Sequence, residues 1–250
     1  MSDFAFDSPV GTIEERRLPE VWPGHWVDAT GYAVKYPSSM KRADWHTGAD
    51  LNLNIPVYDS DAHALCYAAS DGSVKIAAVF PVWGTIVVIQ HDDIPEVGRV
   101  FTRYAHLETI LVLPGQVVLR GQPLGRIGNA SGRYAYHLHY DIARVDLSRF
   151  PTDWPNTEIR RLKATYFDPR AFTLAHRGIE LESNAIDQRV VIAEPKMFVR
   201  ASNNKGAIIM GSLPTGTVVT ILDEIVGWGR IAQPVSGWIE LKWTRLAAGG

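Results

Sequence analysis

The 250-residue sequence contains little cysteine, little net charge and no long apolar run. Its single cysteine, Cys66, excludes an internal disulfide, so packing alone must hold the fold, and we expect Cys66 in a core. A formal net charge of -2 provides no basic surface, which argues against nucleic acid as a partner. No stretch approaches the roughly 20 apolar residues of a membrane span, so no membrane partner is expected.

The beginning of the sequence also lacks the pattern of an export signal. The stretch "MSDFAFDSPVGTIEERR" has two acidic residues among its first seven. It has no apolar stretch of the roughly 7–15 residues that a signal peptide needs. The sequence as given therefore predicts no signal peptide, and the compartment stays unknown at this point.

Sustained helical periodicity is scarce, whereas short β-prone runs are frequent. The runs "TIVVIQH", "RVFTRYAHL" and "LVLPGQVVLRGQPLGRIG" follow one another at hairpin spacing, separated by Pro95, Gly98, Pro114, Gly115 and Gly121. This pattern predicts a mainly β protein whose first domain contains an antiparallel sheet. A helical turn or two is expected only within residues 157–172, where Pro169 stops or bends it.

A second β-rich region follows a polar, patternless segment. We expect residues 178–190 to be a linker and residues 191–247 to form a small β-barrel, whose closure protects its strand edges. Three tryptophans are more than such a core usually needs. The alternatives are that Trp228, Trp238 and Trp243 all pack in the core or its edge, or that one or two are exposed for binding, with Trp228 and Trp238 as the candidates for substrate contact.

The stretch "YHLHYDIA", residues 136–143, places two imidazoles two positions apart in a strand-like run. Side chains alternate in a strand, so His137, His139 and Asp141 share one face, and Leu138 and Tyr140 fill the other. An imidazole buried in a strand needs a partner for its ring nitrogens. The pair therefore indicates either metal ligation or a solvent-exposed face.

A second cluster lies upstream in "WHTGADLNLNI". His46 and Asp50 would be roughly 13 Å apart in an extended chain, and Gly48 permits the turn that brings them together. With His139 they supply two imidazoles and one carboxylate, a set typical of catalytic zinc that leaves the fourth position open. A structural site would more often use cysteines. The sequence thus predicts one zinc ion per chain.

Other polar residues are candidates for supporting roles. His106 and His137 are candidates for orienting or deprotonating a water and for stabilising an oxyanion, and no His-Glu-x-x-His helix offers a glutamate instead. Tyr104 is expected on the same face as His106. Asp141 is either an acceptor for a ligand imidazole or a plain surface aspartate. The remaining histidines are expected to be structural or at the surface: His25, His63, His91 and His176.

The order "HTGAD", "TRYAHLETILVLPGQVVLRGQPLGRIGNASG", "HLHYDI" and "FDPRAF" resembles the lysostaphin-type zinc metallopeptidases, the β-lytic peptidoglycan endopeptidases. The resemblance covers residues 40–175, within an expected metallopeptidase domain of residues 1–177. It implies zinc ligation by His46, Asp50 and His139 and a catalytic pair of His106 and His137, in agreement with the residue-based interpretation.

The sequence departs from the family at three places. Tyr134, Ala135 and Tyr136 stand where smaller, shorter sequences are usual, and Asp141 stands where glutamate is common. The first forty residues carry no recognisable motif, so they either wall the groove or occlude it. The C-terminal region is similar to bacterial SH3-like domains, which often dock a hydrolase on cell-wall peptides.

The hypothesis from the sequence is a zinc-dependent endopeptidase that hydrolyses cross-bridges or stem peptides of bacterial peptidoglycan. Its partners would be peptidoglycan peptides, and it would act at the cell wall, in the periplasm or outside the cell. One alternative is a catalytically inactive cell-wall-binding scaffold or activator of the same fold. Another is a metallocarboxypeptidase that trims D-alanine, although that chemistry usually needs a glutamate base.

Overall fold

The structure is a computed structural model, and it describes most of the chain in two compact units, Met1–Gly178 and Ile179–Gly250. The residues described are 5–12, 15–17, 21–36, 45–155, 157–177, 187–200, 203–207, 209–231, 235 and 237–247. Each unit is organised around an antiparallel sheet. The prediction of a mainly β protein is confirmed.

The first unit is a ten-stranded sheet among the described residues. Its strands are β1 (Trp26–Thr30), β2 (Ala49–Leu53), β3 (Leu65–Tyr67), β4 (Gly72–Phe80), β5 (Gly84–Ile94), β6 (Gly98–Ile110), β7 (Val117–Val118), β8 (Pro123–Ile127), β9 (Leu138–Ala143) and β10 (Tyr166–Phe167). The main order is β1-β2-β9-β6-β5-β4-β7; β10 pairs with β9, and β8 joins β3 to β6.

Both faces of this sheet are covered, because β5, β6 and β9 carry apolar residues on each side. On β9, Leu138, Tyr140 and Ile142 join the main core, whereas Ala143 joins a second cluster on the opposite face. His139 and Asp141 alternate with the first set and so lie on the face of Ala143. Every residue of β9 is buried, which makes polar side chains on it costly unless they are paired.

Two short helices follow β9 and flank the short strand β10: α1 (Ile159–Thr165) and α2 (Pro169–Ala175). Pro169 opens the second helix, whereas the sequence suggested that it would only stop or bend the first. Asp168 explains the difference, since its carboxylate accepts hydrogen bonds from the backbone N–H groups of Arg170 and Ala171 and caps the new helix. Among the described residues, no helix is long and apolar enough to cross a membrane.

The N-terminal arm contributes to the core of the first unit. Phe6 and Val10 are fully buried, and the Phe6 N–H donates to the carbonyl oxygen of His176 at 2.9 Å. Farther along, β1 pairs with β2, and the ring of Tyr36 lies 5.8 Å from that of His46. The described part of the first forty residues therefore includes core residues and a wall beside His46.

The second unit is a seven-stranded sheet within the described part of the chain. Its strands are β11 (Asp187–Val191), β12 (Lys196–Arg200), β13 (Ile209–Pro214), β14 (Val218–Ile225), β15 (Trp228–Ile231), β16 (Gly237–Glu240) and β17 (Thr244–Leu246), in the order β13-β12-β16-β15-β14-β11-β17. Its core includes Val199, Leu213 and Ile239.

The predicted linker of residues 178–190 is wrong at its C-terminal end. Its residues 187–190 belong to β11, while residues 178–186 lie outside the described part of the chain. The polar segment becomes a strand because its backbone is paired on both sides: Arg189 lies opposite Val219 of β14 and Leu246 of β17. Backbone pairing thus decides its structure where side-chain pattern gives no signal.

Candidate metal centre

Three side chains from distant parts of the sequence converge in the first unit. His46 Nε2 lies 3.0 Å from Asp50 Oδ1 and 3.0 Å from His139 Nδ1, and His139 Nδ1 lies 3.1 Å from Asp50 Oδ1. The three atoms form a nearly equilateral triangle. It is small enough for one ion to reach every corner at the about 2.0–2.2 Å that zinc makes to nitrogen and carboxylate ligands.

The outer nitrogens of both imidazoles have acceptors of their own. His46 Nδ1 donates to the carbonyl oxygen of Gly31 at 3.3 Å, and His139 Nε2 donates to Asp141 Oδ2 at 2.9 Å. Nε2 of His46 and Nδ1 of His139 are therefore the nitrogens turned toward the triangle. Two imidazole nitrogens and a carboxylate oxygen at this spacing are a donor set that zinc accepts, so the residues fit zinc.

Strand register brings two of the three converging residues together. Asp50 on β2 and His139 on β9 are directly opposed in the antiparallel pair. Gly48 permits this close approach, because a Cβ there would lie 2.2 Å from the carbonyl oxygen of Tyr140. The sequence suggested Gly48 for a turn, whereas the structure needs it for space. The Asp50 N–H donates to Asp28 Oδ1 at 3.1 Å, which fixes the start of β2.

Asp141 and Arg103 form a buried pair behind His139. Both side chains are 0% exposed, and Arg103 donates a hydrogen bond to Asp141 Oδ2. The same oxygen accepts from the hydroxyl of Thr47 at 2.9 Å and from His139 Nε2. Asp141 thus accepts a hydrogen bond from His139, and because it is fully buried the alternative of a plain surface aspartate is wrong.

The electrostatics of the centre follow from these contacts. Burial favours the protonated form of Asp141, but the charge of Arg103 and the bond from His139 outweigh it and lower the pKa of Asp141 to about 2. Burial likewise opposes the charge on Asp50, yet His46 and His139 hold the pKa of Asp50 well below its usual range. Both carboxylates are therefore anionic near neutral pH and available to a cation and its ligands.

Two further imidazoles lie beside the triangle. The rings of His106 and His137 are 4.7 Å apart, and His137 Nε2 is 3.7 Å from Asp50 Oδ1. His106 Nδ1 donates to the carbonyl oxygen of Trp83 and His137 Nδ1 to that of Ala135, both at 2.9 Å. Each neutral ring consequently keeps the lone pair of Nε2. Burial lowers the pKa of both imidazoles, so they are neutral at neutral pH.

Tyr104 does not share the face of His106. His106 has φ of +64°, and this break in the strand geometry turns its side chain away from the alternation of β6. Tyr104 instead lies fully buried in the main core, and its hydroxyl accepts a hydrogen bond from the Ala69 N–H at 2.9 Å. Tyr104, which was expected beside the site, is therefore a residue of the main core.

The other histidines have contacts away from the centre. His91 is fully buried between the carbonyl oxygen of Asp71 and the hydroxyl of Thr102. His63 is exposed and pairs with Glu108, His176 stacks on Phe172, and His25 is exposed. Their surroundings match structural or surface roles.

An aromatic wall lies around the centre, and of its four members sequence reasoning singled out only Tyr134. We use this name for Tyr36, Trp83, Tyr134 and Trp154. The ring of Trp154 lies 5.8 Å from His46 and 5.4 Å from Trp83, and Tyr134 lies 4.8 Å from His106. These residues come from loops without periodicity.

Arg103 is another residue that sequence reasoning missed, although the sequence contains a signal for it. A charged side chain within a strand that is otherwise predicted to be buried needs a partner.

The second unit contains a cavity of about 220 Å³. Its lining includes Phe198 and Trp243 with the charged residues Glu194, Lys196, Arg200 and Glu240. Trp243 is 49% exposed, whereas Trp238 is 7% exposed and belongs to the protein interior. Trp228 is partly buried, and neither Trp228 nor Trp238 lines the cavity, so the substrate contact expected of these two residues stays a prediction.

Comparisons with known proteins found similar peptidoglycan endopeptidases, a similar solved structure and a matching family. The peptidoglycan DD-endopeptidase ShyA of Vibrio cholerae serotype O1 is 39% identical over 104 residues, covering 41% of this chain and 21% of ShyA. ShyB of the same organism, also a peptidoglycan DD-endopeptidase, is 36% identical over 116 residues, covering 46% of this chain and 26% of ShyB. The chain thus spans about a fifth to a quarter of the length of these relatives.

Among solved structures, a zinc-containing peptidase from Vibrio cholerae is 26% identical, with a TM-score of 0.40. That alignment covers 55% of this chain and 36% of the peptidase. The part of the chain that holds His46, Asp50, His106, His137 and His139, residues 46–151, matches Peptidase family M23.

Proposed function

We propose that this chain is a zinc-dependent endopeptidase that hydrolyses peptide bonds in bacterial peptidoglycan. The observation that carries the proposal is the triangle of His46, Asp50 and His139 with two neutral imidazoles beside it. The identity to ShyA and ShyB supports the substrate class, since both are named peptidoglycan DD-endopeptidases. The D,D cross-link is accordingly the first bond to test.

Zinc bound by His46, Asp50 and His139 would supply a Lewis acid that polarises the scissile carbonyl and acidifies water. The chain's own residues must then handle protons. Neutral His106 and His137 can each accept a proton at Nε2, because Nδ1 of each ring is already engaged with a backbone carbonyl oxygen. One of them takes the proton of the attacking water and returns it to the leaving amine.

The two imidazoles have complementary roles in this proposal. The imidazole that takes the proton of the attacking water carries it at Nε2, where it is a hydrogen-bond donor toward the oxyanion of the tetrahedral intermediate until the proton passes to the leaving amine. Burial lowers the pKa of His106 and His137, so a proton gained during the reaction is readily released again. The other imidazole stays neutral, and its Nε2 accepts a hydrogen bond from the attacking water and orients it, so the pair needs no glutamate.

The second unit is proposed to dock the enzyme on cell-wall peptides. Its cavity combines the rings of Phe198 and Trp243 with side chains of both charges. Stem peptides carry free amino and carboxylate groups, which such a lining can pair. The SH3-like architecture of this unit, and action at the cell wall in the periplasm or outside the cell, belong to the same proposal.

The test is digestion of purified peptidoglycan of several cross-link types, followed by mass analysis of the soluble fragments. We expect cross-linked dimers to become monomers, and we expect 1,10-phenanthroline to abolish the change. A scaffold or activator would leave all dimers intact, and a carboxypeptidase would release single D-alanine residues. Either result would overturn the proposed endopeptidase.

A further inference from the structure

Arg103 is a buried cation in the middle of β6, and the hydrogen bonds of its two terminal nitrogens lead to the candidate metal centre and its surroundings. Its side chain is 0% exposed. One terminal nitrogen of the guanidinium donates to Asp141 Oδ2. The other donates to the carbonyl oxygens of Pro151 at 2.9 Å and Asp153 at 3.0 Å.

The contact with Asp141 reaches the ligand His139 in one further step. Asp141 Oδ2 accepts from Arg103 and from His139 Nε2, which fixes the ring so that Nδ1 faces Asp50. Without Arg103, the fully buried Asp141 would have no cation to compensate its charge. Carboxylates behind ligand imidazoles set ring orientation and metal affinity.

The contact with residues 151–153 reaches the aromatic wall. These two carbonyl oxygens lie just before Trp154, whose ring is 5.7 Å from that of His139. The guanidinium also lies 4.2 Å above the ring of Trp83, in cation–π contact. Arg103 therefore contacts the ring of Trp83 directly and binds the backbone that immediately precedes Trp154.

We propose that Arg103 is a positioning residue that fixes the zinc ligand His139 through Asp141 and, with its second nitrogen, fixes the wall formed by Trp83 and Trp154. The inference rests on the proposed function, since it takes His139 as a zinc ligand. It assigns one side chain to two properties that are measured separately: metal affinity and substrate affinity.

If Arg103 had a purely structural role, an apolar pair could replace it and Asp141 without loss of stability or function. Buried ion pairs are often replaceable in this way, because desolvation offsets the Coulomb attraction. The five N–H donors of Arg103 in a planar fork matter here, since one lysine ammonium is too compact to serve Asp141 and both carbonyl oxygens together. The positive charge of Arg103 and the planar arrangement of its donors can therefore be tested separately.

The experiment compares Arg103→Lys with Arg99→Lys in the full chain. Arg99 lies on the same strand but is exposed and pairs with Asp92, so it controls for the change itself. Zinc affinity is measured by competition with a fluorescent chelator, and the Co²⁺-loaded protein is examined for its visible absorption bands. We expect Arg103→Lys to weaken zinc binding about tenfold or more and to shift the Co²⁺ bands, with Arg99→Lys unchanged.

A second variant separates positioning from folding. In Arg103→Met with Asp141→Asn, no buried charge is left alone, and the new amide oxygen can still accept from His139. We expect this double variant to fold with weakened zinc binding, because the carboxylate behind His139 and its guanidinium partner are gone. We expect its KM for peptidoglycan fragments to be raised severalfold, because the carbonyl oxygens of Pro151 and Asp153 have lost their donor.

The outcomes are distinguishable. A wild-type protein that binds no zinc refutes the proposed function and this inference with it. If the wild type binds zinc, wild-type zinc affinity in a folded Arg103→Lys overturns the inference alone. If Arg103→Lys does not fold, the double variant decides, and a KM equal to that of the wild type overturns the inference.

Discussion

At the scale of single residues, the proposed chemistry depends on which ring nitrogen of each histidine carries the proton. Backbone carbonyl oxygens hold the proton on Nδ1 of His46, His106 and His137, whereas Asp141 holds it on Nε2 of His139. The free nitrogens of His46 and His139 face Asp50. The tautomer alone does not separate the proposed ligands from the proposed catalytic pair, since His46 shares it with His106 and His137. Position does: the free nitrogens of His46 and His139 lie 3.0 and 3.1 Å from Asp50 Oδ1, whereas His137 Nε2 lies 3.7 Å from it.

Replacing His106 by glutamine tests this separation. We expect peptidoglycan hydrolysis to fall about a hundredfold or more, because a general acid–base group is lost, while zinc content stays at the wild-type value. His63→Gln is the matched control, since His63 is exposed and pairs with Glu108. Loss of zinc in His106→Gln, or unchanged hydrolysis, would contradict the assignment.

Residue identities in the centre were predictable from the sequence, but their environment was only partly so. His46, Asp50 and His139 follow from residue type and spacing, since few other side chains bind zinc. Tyr104 was placed wrongly because alternation assumes regular strand geometry, and His106 breaks it with φ of +64°. A positive φ at a histidine leaves no signal in the sequence.

At the scale of secondary structure elements, the site is a product of strand register. β2 and β9 approach so closely at Gly48 that the residue has no room for a side chain. The β-rich class and the alternation on β9 followed from apolar periodicity. The strand β11 and the aromatic wall did not, because backbone pairing and loop contacts are decided by residues far away in the sequence.

Substituting Gly48 by alanine tests the register. The new Cβ would lie 2.2 Å from the carbonyl oxygen of Tyr140 and 2.6 Å from Asp141 Cβ, so β2 must shift against β9. We expect a destabilisation of about 1–3 kcal/mol and loss of zinc. Gly206→Ala is the control, since its new methyl meets only Asn204 Oδ1 at 3.5 Å. Full zinc content in Gly48→Ala would refute the tight register.

His91 makes the pairing of β5 with β6 sensitive to acid. Burial lowers the pKa of His91 from 6.5 to about 4 in the folded protein. The unfolded chain therefore binds more protons between these values, and stability falls as pH decreases from about 6.5 to 4. The contribution amounts to about 3 kcal/mol when fully lost.

Denaturant unfolding of the wild type and His91→Gln from pH 7 to pH 4 measures this contribution. Glutamine does not titrate, so we expect a flatter pH dependence in the variant, with the difference between the two proteins shrinking as pH falls. Parallel curves for both proteins would show that His91 does not lose a proton on folding.

At the scale of the whole molecule, the chain combines a proposed catalytic unit with a proposed docking unit. Each has its own sheet and core. The sequence suggested the division into two units. It did not show which tryptophan faces solvent, because Trp238 and Trp243 both lie in short strand-like stretches. Only the packing of β16 distinguishes them.

Trp243→Ala tests the docking unit. Trp243 lines the cavity of the second unit, so we expect the variant to pellet less with insoluble peptidoglycan while its hydrolysis of soluble cross-linked fragments is unchanged. Leu246→Ala, also exposed but outside the cavity, is the control. Equal pelleting of all three proteins would contradict a docking role for the cavity.

The most direct measurement of the central claim is the zinc content per chain of the purified protein and of Asp50→Ala and His139→Ala, determined after dialysis against metal-free buffer. The account predicts one zinc ion per wild-type chain and almost none in either variant, each still folded by circular dichroism. A wild-type chain that holds no zinc when the metal is supplied, or a variant that retains a full equivalent, would contradict it.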